Sequence, residues 1–198
     1  MKRACLLPLL LPCLICAEAR AESSVTLFGT LQAAIVHGNG GSTPIDGQGA
    51  KRWAMNDQSS TFGLAGREDL GGGHYAGFLL QAFTAVDTGA ASSAQFWSTF
   101  AVAKFGGPWG ELYAGRAVAP AAMMVLFVDP WYWDNSAAQA GWQIQQANYR
   151  TTSLVRTDNT LGYNSPRVAG VSVNLATSLG EGRKGRDDGV AVEYKQGA

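Results

Sequence analysis

Hydrophobic and polar residues alternate with a period of two along most of the chain, a pattern that predicts β-strands with one apolar face. In residues 24–36, apolar side chains such as Val25 and Leu27 occupy every second position. Mostly polar residues lie between them, and Phe28 is an exception. Soluble sheets alternate in the same way, so a single strand does not decide the class of protein.

The succession of strands is more informative than any one of them. Eight alternating segments are predicted: 24–36, 59–70, 74–86, 95–105, 111–116, 154–165, 171–179 and 189–195. Short Gly- or Pro-containing turns alternate between them with longer polar loops. Short turns on one side and long loops on the other are typical of an outer-membrane barrel. The fold class predicted is therefore all-β, an antiparallel transmembrane β-barrel.

Residues 117–152 interrupt this regular succession of strands, turns and loops. They contain the apolar run 123–128, a segment rich in tryptophan and aspartate, and a Gln/Ala-rich run. A connection of about 36 residues is unusual in a compact domain and usually has a function. A short helix is expected within it, near 120–128 or 137–146.

The N-terminus has the pattern of an export signal. Lys2 and Arg3 precede an apolar run, residues 4–17, and the small residues of an Ala-Arg-Ala sequence follow at 19–21. The apolar run is about 14 residues long, too short for a membrane helix of about 20. We expect a signal peptide at 1–21, cleaved before Glu22, and a partial barrel domain at 22–198.

Composition excludes several other classes of protein. The three cysteines, Cys5, Cys13 and Cys16, lie in the predicted signal, so a disulfide-stapled domain is excluded. The formal net charge is zero, which gives no reason to expect nucleic acid as a partner. The two histidines, His37 and His74, are far apart in sequence, and no metal or cofactor is expected. No nucleophile-elbow motif is present, so we predict no catalytic residues and no enzyme.

Four motifs then resemble those of one family. They are Leu-Phe-Gly at 27–29, Phe-Gly-Leu-Ala-Gly-Arg-Glu-Asp-Leu-Gly-Gly-Gly at 62–73, Gly-Arg at 115–116, and Arg-Thr-Asp-Asn-Thr-Leu-Gly-Tyr-Asn-Ser-Pro at 156–166. In this order the chain resembles the trimeric general diffusion porins of Gram-negative bacteria. The resemblance implies an outer-membrane location in contact with lipid, a homotrimer, and a passive channel for small hydrophilic solutes and ions.

The resemblance also implies a sixteen-stranded barrel, of which the sequence supplies about eight strands. An eight-stranded barrel is filled by its own side chains. It would have no room for a long third loop folded toward the lumen, so the larger barrel is expected. The chain ends on Gln-Gly-Ala rather than on the terminal aromatic of the family, and we expect a truncated, N-terminal half.

In this family the third loop places acids opposite a cluster of arginines at the pore constriction. The resemblance assigns the acidic side to Asp129 and Asp134, although both could be ordinary loop acids. It assigns the basic side to Arg156, with Asp158 on the same face, although Arg156 could instead pair with a loop. Arg67 alternates inward. It is either part of this basic wall or a rim residue that pairs with its acidic sequence neighbours.

Arg116 and Asp87 are expected at the subunit interface, with a purely local role as the alternative. Thr30, Thr61 and Trp97 occupy positions where the family often has basic residues, which predicts a weaker transverse field. Two other functions remain open from the sequence. One is a truncated, non-conducting remnant of a porin, and the other is a soluble secreted β-sandwich binding protein.

Overall fold

A computed structural model describes residues 23–37, 53–57, 60–91, 93–128, 155–181 and 186–196. The predicted signal peptide, Asp129 and Asp134 lie outside this part of the chain. The described elements are β1 (Ser23–Thr30), β2 (Ala33–His37), β3 (Trp53–Asp57), β4 (Thr61–Gly71), β5 (His74–Ala85), β6 (Ala90–Ala91), β7 (Phe100–Gly107), β8 (Gly110–Val118), α1 (Pro120–Val128), β9 (Arg156–Asn164), β10 (Val171–Ser178) and β11 (Asp187–Tyr194).

Eight of these strands form the path of the main antiparallel sheet, in the order β1-β4-β5-β7-β8-β9-β10-β11. β6 pairs with β5 beside that path, and β2 and β3 form a separate two-stranded sheet. The prediction of an antiparallel β fold with eight main strands is thus confirmed. The end of the sheet at the tight turns that follow β4, β7 and β9 is called the turn end. The opposite end, which carries the long connections, is called the loop end.

Two predicted strands have different bounds in the structure. Residues 24–36 are split at Leu31 and Gln32, because the buried Ser60 hydroxyl bridges both backbone groups of Gln32. That hydroxyl accepts from the Gln32 N–H at 2.8 Å and donates to the Gln32 carbonyl at 3.0 Å. The predicted strand 95–105 begins only at Phe100.

The two faces of the main sheet differ in polarity. Leu27, with 73% of its surface exposed, and other large apolar side chains such as Leu161 and Val192 lie on one face. This arrangement matches the lipid-facing surface of a membrane barrel. The other face, called the inner face, carries Val102, Tyr113 and many of the polar side chains described below. Among the described residues, no helix is long and apolar enough to cross a membrane.

Four glycines lie directly opposite an aromatic residue on the neighbouring strand. The pairs are Phe28–Gly63, Phe78–Gly66, Tyr75–Gly106 and Tyr113–Gly162. A Cβ atom at any of these glycines would overlap the ring opposite. Each ring therefore lies across the neighbouring strand in space that only glycine leaves open.

α1 follows β8 at the loop end and lies against the inner side of β10 and β11. It begins at Pro120, a residue favoured in the first turn of a helix because its missing N–H needs no partner there. Ala122 is buried against Val118 and Val155, the residues that flank the third loop on β8 and before β9. The predicted helix at 120–128 is confirmed, and the described part of the third loop folds toward the inner face.

Candidate functional site

The inner face carries a hydrogen-bonded polar cluster at the turn end, centred on the carboxylate of Glu111. The hydroxyl of Tyr75 donates to Glu111 Oε2 at 2.8 Å. Asn164 Nδ2 donates to Oε1 at 3.2 Å, and Lys104 Nζ lies 3.3 Å from the same oxygen. Strands β5, β7, β8 and β9 each contribute one of these residues, so the cluster exists only because the register places them side by side.

Asn174 extends the cluster to β10. Its side-chain Nδ2 donates to the side-chain Oδ1 of Asn164. It also lies 3.5 Å from the hydroxyl of Tyr113 on β8. A continuous row of polar contacts therefore crosses the inner face from β5 to β10.

Further cations lie at the same end of the inner face. The guanidinium of Arg67 lies 3.4 Å from the centre of the Tyr75 ring. On β11, Glu193 is paired with Arg167 and with Lys195, whose Nζ is 3.0 Å from its carboxylate. The charged groups in these contacts are four cations and two carboxylates: Arg67, Lys104, Arg167 and Lys195 with Glu111 and Glu193.

A cavity of about 360 Å³ lies between α1 and the inner face of the main sheet. Apolar side chains of α1 and of the loop end line part of it, including Phe100 and Met123. Lys104, Glu111 and Glu193 line its turn end. The space beside the third loop is therefore apolar at one end and charged at the other.

Arg156 lies at the loop end, as the first residue of β9. Its guanidinium carbon is 4.9 Å from the centre of the Phe83 ring, and its buried Nε has no hydrogen-bond partner among the residues that the structure describes. Among the described residues, no carboxylate lies within ion-pair distance of Arg156. Within the described part of the chain, the partner of the Arg156 guanidinium is thus an aromatic face, which does not neutralise its charge.

The structure does not bring Arg67 and Arg156 together. Arg67 pairs with Gly77 of β5, whereas Arg156 lies over Phe83, six residues further along the same strand. At about 3.3 Å per residue, the two arginines differ in height by roughly 20 Å. They lie on one face but at opposite ends of it.

Arg116 and Asp158 form an ion pair with each other within the chain. Arg116 Nη1 forms an ion pair with the Asp158 carboxylate, and its Nε donates to the Ser98 carbonyl at 2.9 Å. A register shift between Gly115 and Ala117, together with a positive φ of 54° at Asn159, turns this part of β9 away from strict alternation. Asp87 lies in the exposed turn after β5.

Trp97 contacts Phe62 and Phe96 instead of occupying a strand, with ring centres 5.9 Å and 4.8 Å away. The predicted strand 95–105 implied that Trp97 is part of the barrel wall. Trp97 instead lies before β7, which begins at Phe100. Sequence reasoning missed Lys104 and Glu111, although strict alternation along their strands would have placed both on the inner face. In the described part of the chain, no group of acidic, histidine or cysteine residues could hold a metal ion.

Comparison with known proteins gives consistent matches. Residues 9–198 match the family model described as Gram-negative porin. The curated "Outer membrane porin protein 32" of Delftia acidovorans is 29% identical over 167 residues, which cover 82% of this chain and 46% of that protein. The chain spans about half the length of the relatives it matches.

Two solved structures also resemble the chain. The anion-selective porin from Comamonas acidovorans superposes with a TM-score of 0.70 and 26% identity, over 89% of this chain and 55% of that one. A loop L8 deletion mutant of OmpT, an outer membrane protein of Vibrio cholerae, superposes with a TM-score of 0.57 and 13% identity, over 88% and 49%. The second match supports the fold alone.

Proposed function

The chain belongs to the Gram-negative porin family and is a protein of the outer membrane, and on this premise we propose that it lines a passive channel for small hydrophilic solutes and ions. Such a channel works by diffusion and needs neither catalysis nor a cofactor. Its partners are the outer-membrane lipid and the permeating solutes.

The observation that carries this proposal is the opposite polarity of the two faces of the main sheet. Charged groups such as Lys104 and Glu111 lie on the inner face, and Leu27 and similar side chains are exposed on the other. Charged groups are costly in hydrocarbon, so the inner face must border water or protein while the outer face meets lipid. A water-filled lumen on the inner side satisfies both requirements.

We further propose that the channel prefers anions. Four cations and two carboxylates take part in the turn-end contacts, and Asp69 adds a third acid there. At the loop end, Arg156 has no carboxylate within ion-pair distance among the described residues, so cations still outnumber acids in this set. A pore lined by an excess of one charge concentrates ions of the opposite sign. The similar structure from Comamonas acidovorans is described as anion-selective.

The proposed constriction is formed by Arg156 on one side and Asp129 and Asp134 of the third loop on the other. The position of α1 against the inner side supports it, because the loop leaves β8 in the direction of the lumen. Arg67 lies at the turn end, so it would attract anions only after they have passed the constriction. Asp158 acts indirectly, through its ion pair with Arg116.

The proposed assembly is a homotrimer with Arg116 and Asp87 near the subunit contacts, as the family resemblance implies. Arg116 is already bound within its own chain. We therefore propose that it shapes the interface by holding the β8 and β9 ends rather than by bonding Asp87. Crosslinking of the protein in outer-membrane vesicles tests this; a species of monomer mass alone would contradict the trimer.

Planar-bilayer recording of the refolded protein tests the channel itself. Discrete conductance steps are expected, and a salt gradient should give a reversal potential of the sign for anion preference. Absence of steps in a preparation with native-like β content would favour the non-conducting remnant. Recovery as a soluble periplasmic monomer would contradict the channel and favour a secreted β-sandwich binding protein. The family match gives no support to that alternative.

A further inference from the structure

One face of α1 is turned toward the wall of the sheet across the cavity. The helix residues that line the cavity are Pro120, Met123, Met124 and Phe127, with the spacing i, i+3, i+4 and i+7. This spacing defines a single apolar stripe on a helix. Leu126, on the same helix, does not line the cavity.

The opposite wall changes from apolar to charged along its length. On β7 the cavity-lining residues Phe100, Val102 and Lys104 follow one another from the loop end toward the turn end. Tyr113 and Glu111 of β8 repeat this order. A molecule in the cavity would therefore have its apolar part beside Phe100 and its polar part beside Lys104.

The carboxylates at the polar end already have donors from the protein. Glu111 accepts from Tyr75, Asn164 and Lys104, and Glu193 is paired with both Arg167 and Lys195. A ligand ammonium would have to displace one of them.

The donors at the same end are not all used. The Lys104 ammonium has three N–H groups and contacts Glu111 at 3.3 Å, so further N–H groups can bind a ligand oxygen. Asp69, a further acid near this end, accepts from the Gly71 N–H in its own turn at 2.8 Å. The chemistry of the polar end favours a ligand carboxylate.

We propose that this cavity is a binding site for small monocarboxylates with an apolar body, such as aryl- or alkyl-carboxylates, held on their way through the channel. The carboxylate binds Lys104, and the apolar body lies between the α1 stripe and Phe100. The cavity of about 360 Å³ is within the size range of small-molecule sites. This inference rests on the proposed channel for its physiological meaning but not for its geometry.

The test uses the protein in lipid nanodiscs, with empty nanodiscs as background, and saturation-transfer NMR to measure dissociation constants. Phenylacetate is the probe. Acetate lacks the apolar body, and phenethylamine has the same body with the opposite charge. Phenylacetate is expected to bind about tenfold more tightly than either, since both halves of the site must be engaged.

Variants separate the two halves of the site. Lys104→Met and Met124→Gln should each weaken phenylacetate binding about fivefold or more. Lys104→Arg keeps the charge and should retain binding even if Lys104→Met folds poorly. Leu126→Gln changes the same helix away from the cavity and should leave binding unchanged.

Each result has a separate meaning. Equal affinities for phenylacetate and acetate, or equal loss in Met124→Gln and Leu126→Gln, would overturn the site. Conductance is recorded in planar bilayers with protein from the same purified batch. Binding without conductance would refute the channel and keep the site, whereas conductance without selective binding would refute the site and keep the channel.

Discussion

The guanidinium carbon of Arg156 lies 4.9 Å from the centre of the Phe83 ring, where the chain returns from the third loop to the sheet. Phe83 belongs to β5 and Arg156 to β9, so the contact joins strands that are not neighbours in the sheet. Such a contact stabilises by about 0.5 to 2 kcal/mol and leaves the positive charge uncancelled. The contact thus fixes the position of the charge, which in the proposed channel can attract a permeating anion.

Replacing Arg156 by alanine is expected to lower anion permeability relative to cations. A unit charge about 7 Å from a permeating ion in water contributes roughly 0.6 kcal/mol, or about a threefold change in the permeability ratio. The reversal potential under a salt gradient measures this. Arg186→Ala removes an arginine that is paired with Asp188 in an exposed segment and serves as the control. Equal shifts in both variants would remove Arg156 from the constriction.

Replacing Glu111 by glutamine is expected to destabilise the protein and to increase anion preference. The change removes the charge that Lys104 pairs with and weakens bonds from Tyr75 and Asn164. The expected cost is about 1 to 3 kcal/mol. Folding into vesicles over a urea series measures the loss of stability. The reversal potential under a salt gradient measures the change in anion preference. Glu181→Gln, in an exposed turn, should change neither.

Arginine substitutions on β1 test the assignment of the two faces. Leu27→Arg places a charge on the apolar face and should cost about 2 to 4 kcal/mol of folding free energy if it lies near the middle of the bilayer. Thr26→Arg, one residue away on the other face, should cost much less. Folding into vesicles over a urea series compares them. The assignment fails if Thr26→Arg is as costly as Leu27→Arg.

A methyl group at residue 162 is expected to displace the Tyr113 ring. Tyr113 lies directly opposite Gly162, and a Cβ at that position would overlap the ring. Overpacking of this kind costs about 1 to 3 kcal/mol. Gly162→Ala should therefore lower stability, and adding Tyr113→Ala should make the alanine at 162 nearly neutral. Additive losses in this double-mutant cycle would contradict the contact.

The strands and their order could be predicted because alternation and turn composition are local properties of the sequence. The same is true of α1, where an apolar run follows a proline. The split at Gln32 could not be predicted in this way. It depends on the Ser60 hydroxyl, 28 positions away in sequence, which takes the place of strand hydrogen bonds.

The site was harder to predict than the fold for a related reason. Alternation places Arg67 on the inner face, and the family resemblance places Arg156 there, but height along the strand depends on the register of several strand pairs. One extra residue in β9, at residues 158–159 opposite Arg116, was enough to bring Asp158 to Arg116 instead of Arg156. The roles of Asp129 and Asp134 stay predictions, since both lie outside the described residues.

α1 has no charged side chain, and the contacts that hold its N-terminal half, with Val118 and Val155, are apolar. In the proposed channel, the height and depth of the third loop at this point are therefore set by apolar packing, whereas the cations of the inner face, Arg156 among them, lie mainly on the strands. If the chain lines the proposed channel, exclusion by size depends on how α1 packs, and preference by charge depends on a different set of residues. Substitutions of the charged residues are then expected to change the ionic preference of the proposed channel without changing the width of its aperture.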